Sequence, residues 1–173
     1  VVFCGDTRNN MAYAWMYGCA KMGMHFVGWG PKELSPAEDV IAYCNEVAKD
    51  TGAVLEFGED LALLKGADVI YTDIWVSMGE EAKLAERVKQ LAPYKVTSKV
   101  MAATENPKCL FMHCLPAYHD FETLTAQHCK EEGYDIREVD DDVFRSKQSV
   151  VFDEAENRMH TIKAVMVATL GNQ

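Results

Sequence analysis

A histidine and a cysteine end an apolar run in segment 111–116, Phe-Met-His-Cys-Leu-Pro. The run is typical of a buried strand, and Pro116 ends it because proline has no backbone N–H to donate to a sheet. In open α/β sheets, ligands bind just outside the carboxyl ends of the strands. Cys114 is therefore a candidate for chemistry on a bound ligand. The alternative is a core cysteine beside a surface histidine at position 113.

An aspartate follows another apolar run, in segment 72–79, Thr-Asp-Ile-Trp-Val-Ser-Met-Gly. A carboxylate at the end of a buried strand is unusual unless it meets a cation or caps the backbone. Asp73 is thus a candidate for binding a cationic group, in a loop where Trp75, Ser77 and Met78 add apolar surface and a hydroxyl. The alternative is an ordinary strand-to-helix loop with Trp75 in the core.

The first turn, Gly-Asp-Thr-Arg-Asn-Asn at 5–10, lies where a dinucleotide-binding fingerprint would lie. That fingerprint needs three glycines. Only Gly5 is present, and Arg8 and Asn9 stand where side chains would obstruct a pyrophosphate. NAD binding is disfavoured, although a nucleotide-binding module remains an alternative. The structural alternative for Asn9 and Asn10 is capping of the next helix.

An arginine stands near the start of the last predicted helix, in segment 153–158, Asp-Glu-Ala-Glu-Asn-Arg. The acids of this segment complement the positive end of the helix dipole. Arg158 gains nothing from the dipole there. We therefore expect it to bind an anion or a polar group of a substrate.

The elements that position these residues alternate along the chain. Apolar runs predict strands at 1–4, 25–29, 54–57, 67–71, 109–113 and 149–152, with a short strand-like piece at 136–139. Helical patterns cover 10–22, 35–50, 60–65, 80–91, 122–131 and about 154–170. The alternation indicates βαβ units, and hence a doubly wound, mainly parallel sheet between helical layers, a Rossmann-like α/β domain.

Three candidate residues follow three different predicted strands: Asn10 the first, Asp73 the fourth and Cys114 the fifth. A doubly wound sheet gathers the carboxyl ends of its strands along one edge. We therefore expect one site at this edge, with Arg158 as a fourth member.

Composition narrows the classes of function. The 173 residues suit a single domain, and 49% hydrophobic residues suffice for a core. A net charge of −10 argues against nucleic-acid binding, and no apolar stretch is long enough to span a membrane. Six cysteines without a Cys-x-x-Cys pair argue against a metal site and favour reduced thiols in the cytoplasm. Because the chain begins on a core strand without an initiator methionine, we expect a piece of a longer chain.

Four segments together resemble the ornithine carbamoyltransferases: 5–11, 72–79, 112–117 and 152–166. The resemblance covers the whole chain, 1–173, as the family's second, ornithine-binding domain. It implies transfer of a carbamoyl group from carbamoyl phosphate to L-ornithine, giving citrulline and phosphate, without a cofactor, in a homotrimer or a multiple of trimers. The phosphate-binding motifs belong to a first domain that the chain lacks. We therefore expect the chain alone to be inactive, and its helix 154–170 to pack on that domain.

The resemblance also implies roles at the amino-acid end of ornithine. Asn10 and Asp73 hold this end, and Asp73 pairs with the α-ammonium group. Ser77 and Met78 lie on a loop that closes over ornithine. An enzyme acting on putrescine or another amine is the nearest alternative, which the Ser-Met-Gly sequence at 77–79 opposes.

At the reacting end, the resemblance places Cys114 beside the δ-nitrogen. The Leu115 carbonyl accepts from the carbamoyl amino group, and Arg158 polarises the carbamoyl oxygen. Cys114, Arg158 and Asp73 are thus the predicted catalytic residues. An amine with a pKa of about 10.4 must lose a proton before it attacks, which costs roughly 4–5 kcal/mol at pH 7. Whether Cys114 takes that proton or only positions the amine is left open by the sequence.

Overall fold

The structure, a computed structural model, describes residues 1–76 and 81–171. In these two ranges, five strands and seven α-helices follow one another along the chain. The strands are β1 (Val2–Cys4), β2 (His25–Trp29), β3 (Val54–Gly58), β4 (Val69–Thr72) and β5 (Leu110–His113). The helices are α1 (Asn10–Met22), α2 (Glu38–Thr51), α3 (Leu84–Leu91), α4 (Ser98–Ala103), α5 (Leu124–Glu131), α6 (Asp141–Phe144) and α7 (Val151–Leu170).

The five strands form one parallel sheet in the order β3-β2-β1-β4-β5. The chain runs outward from β1 to β3 on one side and continues from β4 to β5 on the other. The order of strands therefore reverses between β1 and β4, where open α/β sheets form a crevice for ligands. The predicted doubly wound parallel sheet is confirmed.

Apolar layers cover both faces of the sheet. Phe3, Phe26 and Tyr71 face α1 and α2, whereas Val2 and Cys4 face the opposite layer, which includes α4 and α6. Successive residues of a strand point to opposite faces, so a run such as Val-Phe-Cys supplies both layers. The three-layer arrangement is thus a consequence of strands that are apolar on both sides.

The turn from β1 to α1 is tight. Gly5 has a φ of +113°, which few residues other than glycine adopt, and a Cβ on Gly30 would lie 2.0 Å from the Gly5 carbonyl oxygen. Asn9 then caps α1, because its Oδ1 accepts from the Ala12 N–H at 2.7 Å. The predicted capping role is confirmed for Asn9, and the turn brings the start of α1 to the carboxyl edge of the sheet.

Three predicted elements differ in the structure. Residues 136–139 form no strand, because Val139 makes only an isolated bridge with Val96. Residues 149–152 form no strand: Ser149 makes only an isolated bridge with Phe111, and Val151 already begins α7. Acids in the first turn favour the helix there. The second helix begins at Glu38, because Ala37 is still extended and is its N-cap residue in place of Ser35. The sequence also failed to predict α4 and α6, which are only six and four residues long.

All six cysteines have free thiols, and five of them are buried, Cys114 being the partly exposed one. Within the described ranges, no helix combines the length and the apolar character needed to cross a membrane.

Candidate functional site

A cleft of about 510 Å³ opens at the carboxyl ends of β4 and β5, between α1 and α7. Its walls include Met11 and Trp15 of α1, Tyr71 of β4, Cys114 and Leu115 after β5, and Glu154 and Arg158 of α7. This is the edge at which the sequence predicts a site. The cleft has mixed walls, aromatic and aliphatic on one side and charged on the other, as small-molecule sites commonly have.

Asp73 and Cys114 are in direct contact. The Cys114 Sγ donates to Asp73 Oδ1 at 2.9 Å, and the same oxygen accepts from the Ile74 N–H at 2.7 Å. The other oxygen, Oδ2, accepts from the Asn9 side-chain amide at 3.2 Å. No lysine or arginine among residues 1–76 and 81–171 pairs with this carboxylate, so its charge is left for a cationic group of a ligand.

The Cys114 thiol is a hydrogen-bond donor in this arrangement. Burial raises its pKa, and the adjacent Asp73 carboxylate raises it further. A thiolate beside a carboxylate is disfavoured by like-charge repulsion as well as by desolvation. At neutral pH, Cys114 is therefore protonated in the ligand-free domain, which favours positioning of an amine over removal of its proton.

His113 directly precedes Cys114, and its side chain points into the core of the domain. Its side chain is fully buried, and Nε2 lies 3.0 Å from Oε1 of Glu138, also fully buried. Its Nδ1 contacts the Cys114 carbonyl oxygen. Because that oxygen can only accept, Nδ1 carries a hydrogen, and a single proton lies between Nε2 and Oε1. A core cysteine beside a surface histidine, the alternative from the sequence, is wrong.

Glu138 is a residue that sequence reasoning missed. Burial raises its pKa, a rise that its contact with His113 opposes. Its Oε1 also accepts from the Tyr118 N–H at 2.5 Å. The available signal was an acid within the apolar strand-like piece at 136–139, since a buried carboxylate requires partners.

Tyr71 and Glu154 lie on the cleft wall next to Cys114. The Tyr71 ring is fully buried, and its hydroxyl makes no hydrogen bond of good geometry with any described residue. Burial raises the pKa of this hydroxyl, and the proximity of Cys114 and Glu154 raises it further. Burial also raises the pKa of Glu154, although Tyr71 and the His113 N–H, which donates to Glu154 Oε2 at 3.1 Å, oppose the rise.

Arg158 and Leu115 both line the cleft. Arg158 is exposed, and its guanidinium forms no ion pair within the described part of the chain, so its charge is available to an anion. Leu115 is 40% exposed and is joined to Pro116 by a cis peptide bond.

Two predicted residues do not line the cleft: Asp73, which contacts the lining residue Cys114, and Asn10. Asn10 is the first residue of α1 and is exposed, and Asn9 rather than Asn10 contacts Asp73. The role of Asn10 at a ligand stays a prediction. Ser77 and Met78 lie outside the described residues.

One group of side chains has the composition of a metal site, outside the cleft. His119, Asp120 and Asp141 bring three possible ligand atoms within 4.8 Å of one another. However, Arg145 donates to Asp141 at 2.8 Å and to Asp120 at 3.3 Å. A guanidinium already supplies the positive charge, so the cluster is an ion-pair network.

The fold and the cleft define a small-molecule-binding domain of the doubly wound α/β class. The chain belongs to the aspartate/ornithine carbamoyltransferase family, because residues 1–169 match the model of the family's Asp/Orn binding domain. The resemblance seen in four sequence segments is thereby confirmed.

Among its relatives, the chain is 63% identical to the catabolic ornithine carbamoyltransferase of Clostridium perfringens, over 99% of the chain and 53% of that protein. It is similar to the solved ornithine carbamoyltransferase from Pyrococcus furiosus, with 37% identity and a TM-score of 0.81 over 99% of the chain and 50% of that structure. The anabolic enzyme from Campylobacter jejuni gives 30% identity and a TM-score of 0.83, over 99% and 51%. The chain thus spans about half the length of the curated relatives it matches.

Proposed function

We propose that the chain is the ornithine-binding half of an enzyme that transfers a carbamoyl group from carbamoyl phosphate to the δ-amine of L-ornithine, forming L-citrulline and phosphate. The observation that supports this most directly is the 2.9 Å contact between Asp73 and Cys114, which joins the Asp73 carboxylate to a residue of the cleft wall. Arg158 on α7 faces the same space. A carboxylate, a thiol and a guanidinium around one cleft suit a substrate with cationic and anionic parts.

In this proposal, the Asp73 carboxylate pairs with the α-ammonium group of ornithine. Three hydrogen bonds, from Ile74, Asn9 and Cys114, already hold the carboxylate in place. A charged group positioned in this way gains affinity because little ordering is left to do on binding. The family resemblance assigns Asn10, Ser77 and Met78 to the same end of ornithine.

At the other end, the Cys114 thiol lies beside the δ-nitrogen, and the Leu115 carbonyl accepts from the carbamoyl amino group. The attack places negative charge on the carbamoyl oxygen. Arg158 stabilises that charge, a contribution that is often the largest in acyl transfer.

The other half of the enzyme supplies the phosphate-binding groups in this proposal and covers α7. From Ala155 to Leu170, every residue of this helix is exposed. The large apolar side chains exposed along it are Phe152, Met159, Ile162, Val165, Met166, Val167 and Leu170. A face of this kind marks an interaction surface. We further propose a trimer-based assembly and, because the buried thiols are free, a cytoplasmic location.

A chimera tests the proposed function. The chain replaces the matching half of the Clostridium perfringens enzyme, to which it is 63% identical. We expect the chimera to form citrulline from ornithine and carbamoyl phosphate, and the isolated chain to form none above a no-protein control. Hydrogen exchange on α7 should be slower in the chimera than in the isolated chain.

The same chimera separates the alternatives. Faster carbamoylation of putrescine than of ornithine would favour another amine as the substrate. Stabilisation of the isolated chain by NAD in a thermal-shift assay would favour a nucleotide-binding module. A chimera that folds but acts on neither amine would refute the proposed function.

A further inference from the structure

Glu154 is a carboxylate of the cleft to which the proposed function gives no role. It lies in the first turn of α7 and is partly buried. Its Oε2 accepts from the His113 N–H at 3.1 Å. The Tyr71 hydroxyl lies beside the same carboxylate without a hydrogen bond of good geometry, so the His113 N–H is its one well-placed donor among the described residues.

The Tyr71 hydroxyl is a second polar group of the cleft that the proposed function does not use. It is buried beside both Cys114 and Glu154 and makes no hydrogen bond of good geometry with the described residues. Buried tyrosine hydroxyls normally find a partner, and a hydroxyl can donate and accept at once. It is therefore suited to bridge the Glu154 carboxylate and a nitrogen bound next to Cys114.

The other acceptors in this corner are less suitable for taking a proton. The Cys114 thiol is protonated and already donates to Asp73. Both oxygens of Asp73 accept hydrogen bonds, three in all, and its charge is committed to the α-ammonium group in the proposed function. Glu154 accepts one hydrogen bond of good geometry, from the His113 N–H, and lines the same cleft.

We propose that Glu154 is a further catalytic residue, which takes the proton that the δ-ammonium of ornithine loses before attack, with the Tyr71 hydroxyl bridging the two groups. This inference rests on the proposed function. The proton moves from the δ-ammonium to the Glu154 carboxylate, and the freed lone pair forms the bond to the carbamoyl carbon. The bond from that carbon to the phosphate oxygen breaks, its electron pair leaves with phosphate, and the second proton of the nitrogen leaves with phosphate too.

Few groups besides Glu154 are available to produce a pH dependence in this corner. Tyr71 faces it from β4, and His113 and Cys114 face it from β5 and the residue that follows. On α7 itself, Arg158 lines the same cleft. The residues of α1 on the opposite wall, Met11 and Trp15, do not titrate.

The test is the pH profile of kcat/KM for ornithine in the chimera carrying Glu154→Gln. Glutamine still accepts from the His113 N–H, so the fold should be kept, which thermal unfolding checks. At pH 7 we expect a loss of about 100-fold or more, as for removal of a general base. The variant should then recover about tenfold per pH unit up to pH ~9.5, because deprotonated amine becomes available in solution. The profile of the unmodified chimera should level off instead.

Two further variants complete the test. Tyr71→Phe should lose about 2- to 10-fold, as for one hydrogen bond. Glu46→Gln, at an exposed site of α2 away from α7, is the matched control and should match the unmodified chimera. A Glu154→Gln loss that is the same at every pH would indicate a structural role and overturn the inference, as would full activity. If the unmodified chimera makes no citrulline, the proposed function fails first and the inference fails with it.

Discussion

Removing the Glu138 carboxylate tests how much the buried pair of Glu138 and His113 contributes to the free energy of unfolding. Both side chains of the pair are fully buried, and Glu138 Oε1 also accepts from the Tyr118 N–H. Glu138→Ala leaves a buried imidazole and a backbone N–H without partners. Breaking one member out of a buried pair typically costs about 3–5 kcal/mol. We expect a loss of free energy of unfolding in this range.

Glu138→Gln separates the charge from the geometry. Oε1 lies 3.0 Å from His113 Nε2 and 2.5 Å from the Tyr118 nitrogen, so one oxygen serves both contacts. An amide oxygen there can keep the Tyr118 contact, but it cannot supply a proton to Nε2 while Nδ1 donates to the Cys114 carbonyl. If the amide turns so that its NH2 group points towards Nε2, this NH2 group also faces the Tyr118 N–H, and two donors are then opposed. One contact is lost either way, at about 1–3 kcal/mol.

Urea and thermal unfolding of the 173-residue chain measure both variants. For a chain of this size, each kcal/mol lowers Tm by about 2–4 °C. Glu138→Ala should therefore lower Tm by roughly 6–20 °C. Glu46→Ala is the matched control, because its carboxylate pairs with Lys49 at an exposed site and should contribute less than about 1 kcal/mol. A cost for Glu138→Ala no larger than that of the control would refute the reasoning.

Three further predictions concern the cleft and the surface. Asp73→Asn should raise KM for ornithine about 10- to 150-fold in the chimera, the range for a hydrogen bond to a charged group, and leave KM for carbamoyl phosphate unchanged; an equal rise in both would contradict the assigned role. Cys114→Ala should lower kcat without changing the shape of its pH profile, because the thiol is protonated; loss of an ionisation from the profile would identify Cys114 as the base instead. Arg137→Met should move acid unfolding to higher pH. Burial would raise the pKa of Asp135, but hydrogen bonds from Arg137 outweigh burial and lower that pKa. The ionised carboxylate therefore stabilises the fold above its unfolded-state pKa, and this stabilisation is lost as the pH falls through the folded-state pKa. Both groups are partly exposed, so the change at pH 7 should stay below about 1 kcal/mol; an unmoved acid transition would contradict the assignment.

The doubly wound parallel sheet and the edge that carries the site were predictable because they depend on local patterns. Runs such as 25–29 and 109–113 are continuous and apolar, and only a strand buried on both faces accommodates them at this length. Once the sheet is parallel, its topology alone gathers Asp73 and Cys114 at one edge. The contact between these two side chains then follows from the pairing of β4 with β5.

The partners within the site were less predictable because they depend on contacts between distant residues. Glu138 is 25 residues from His113, and the isolated bridge between Val96 and Val139 joins its segment to the one that precedes α4. The helix dipole is by itself a sufficient reason for an acid such as Glu154 at the start of a helix. Only the approach of α7 to β5 shows that it also binds the His113 backbone.

The separation of His113 from Cys114 limits the chemistry that this corner can perform. A neighbouring cysteine and histidine suggest a thiolate nucleophile with an imidazole base. However, successive residues at the end of a strand point to opposite faces of the sheet. The imidazole enters the layer that holds Glu138, whereas the thiol packs with the α1 and α2 layer and donates to Asp73. The imidazole is therefore badly placed to deprotonate the thiol across the backbone. In the proposed function, Cys114 acts as a neutral donor that orients the nucleophile of the substrate. Transfer to an amine fits this arrangement, since the amine brings its own nucleophilic lone pair and needs only a proton acceptor nearby.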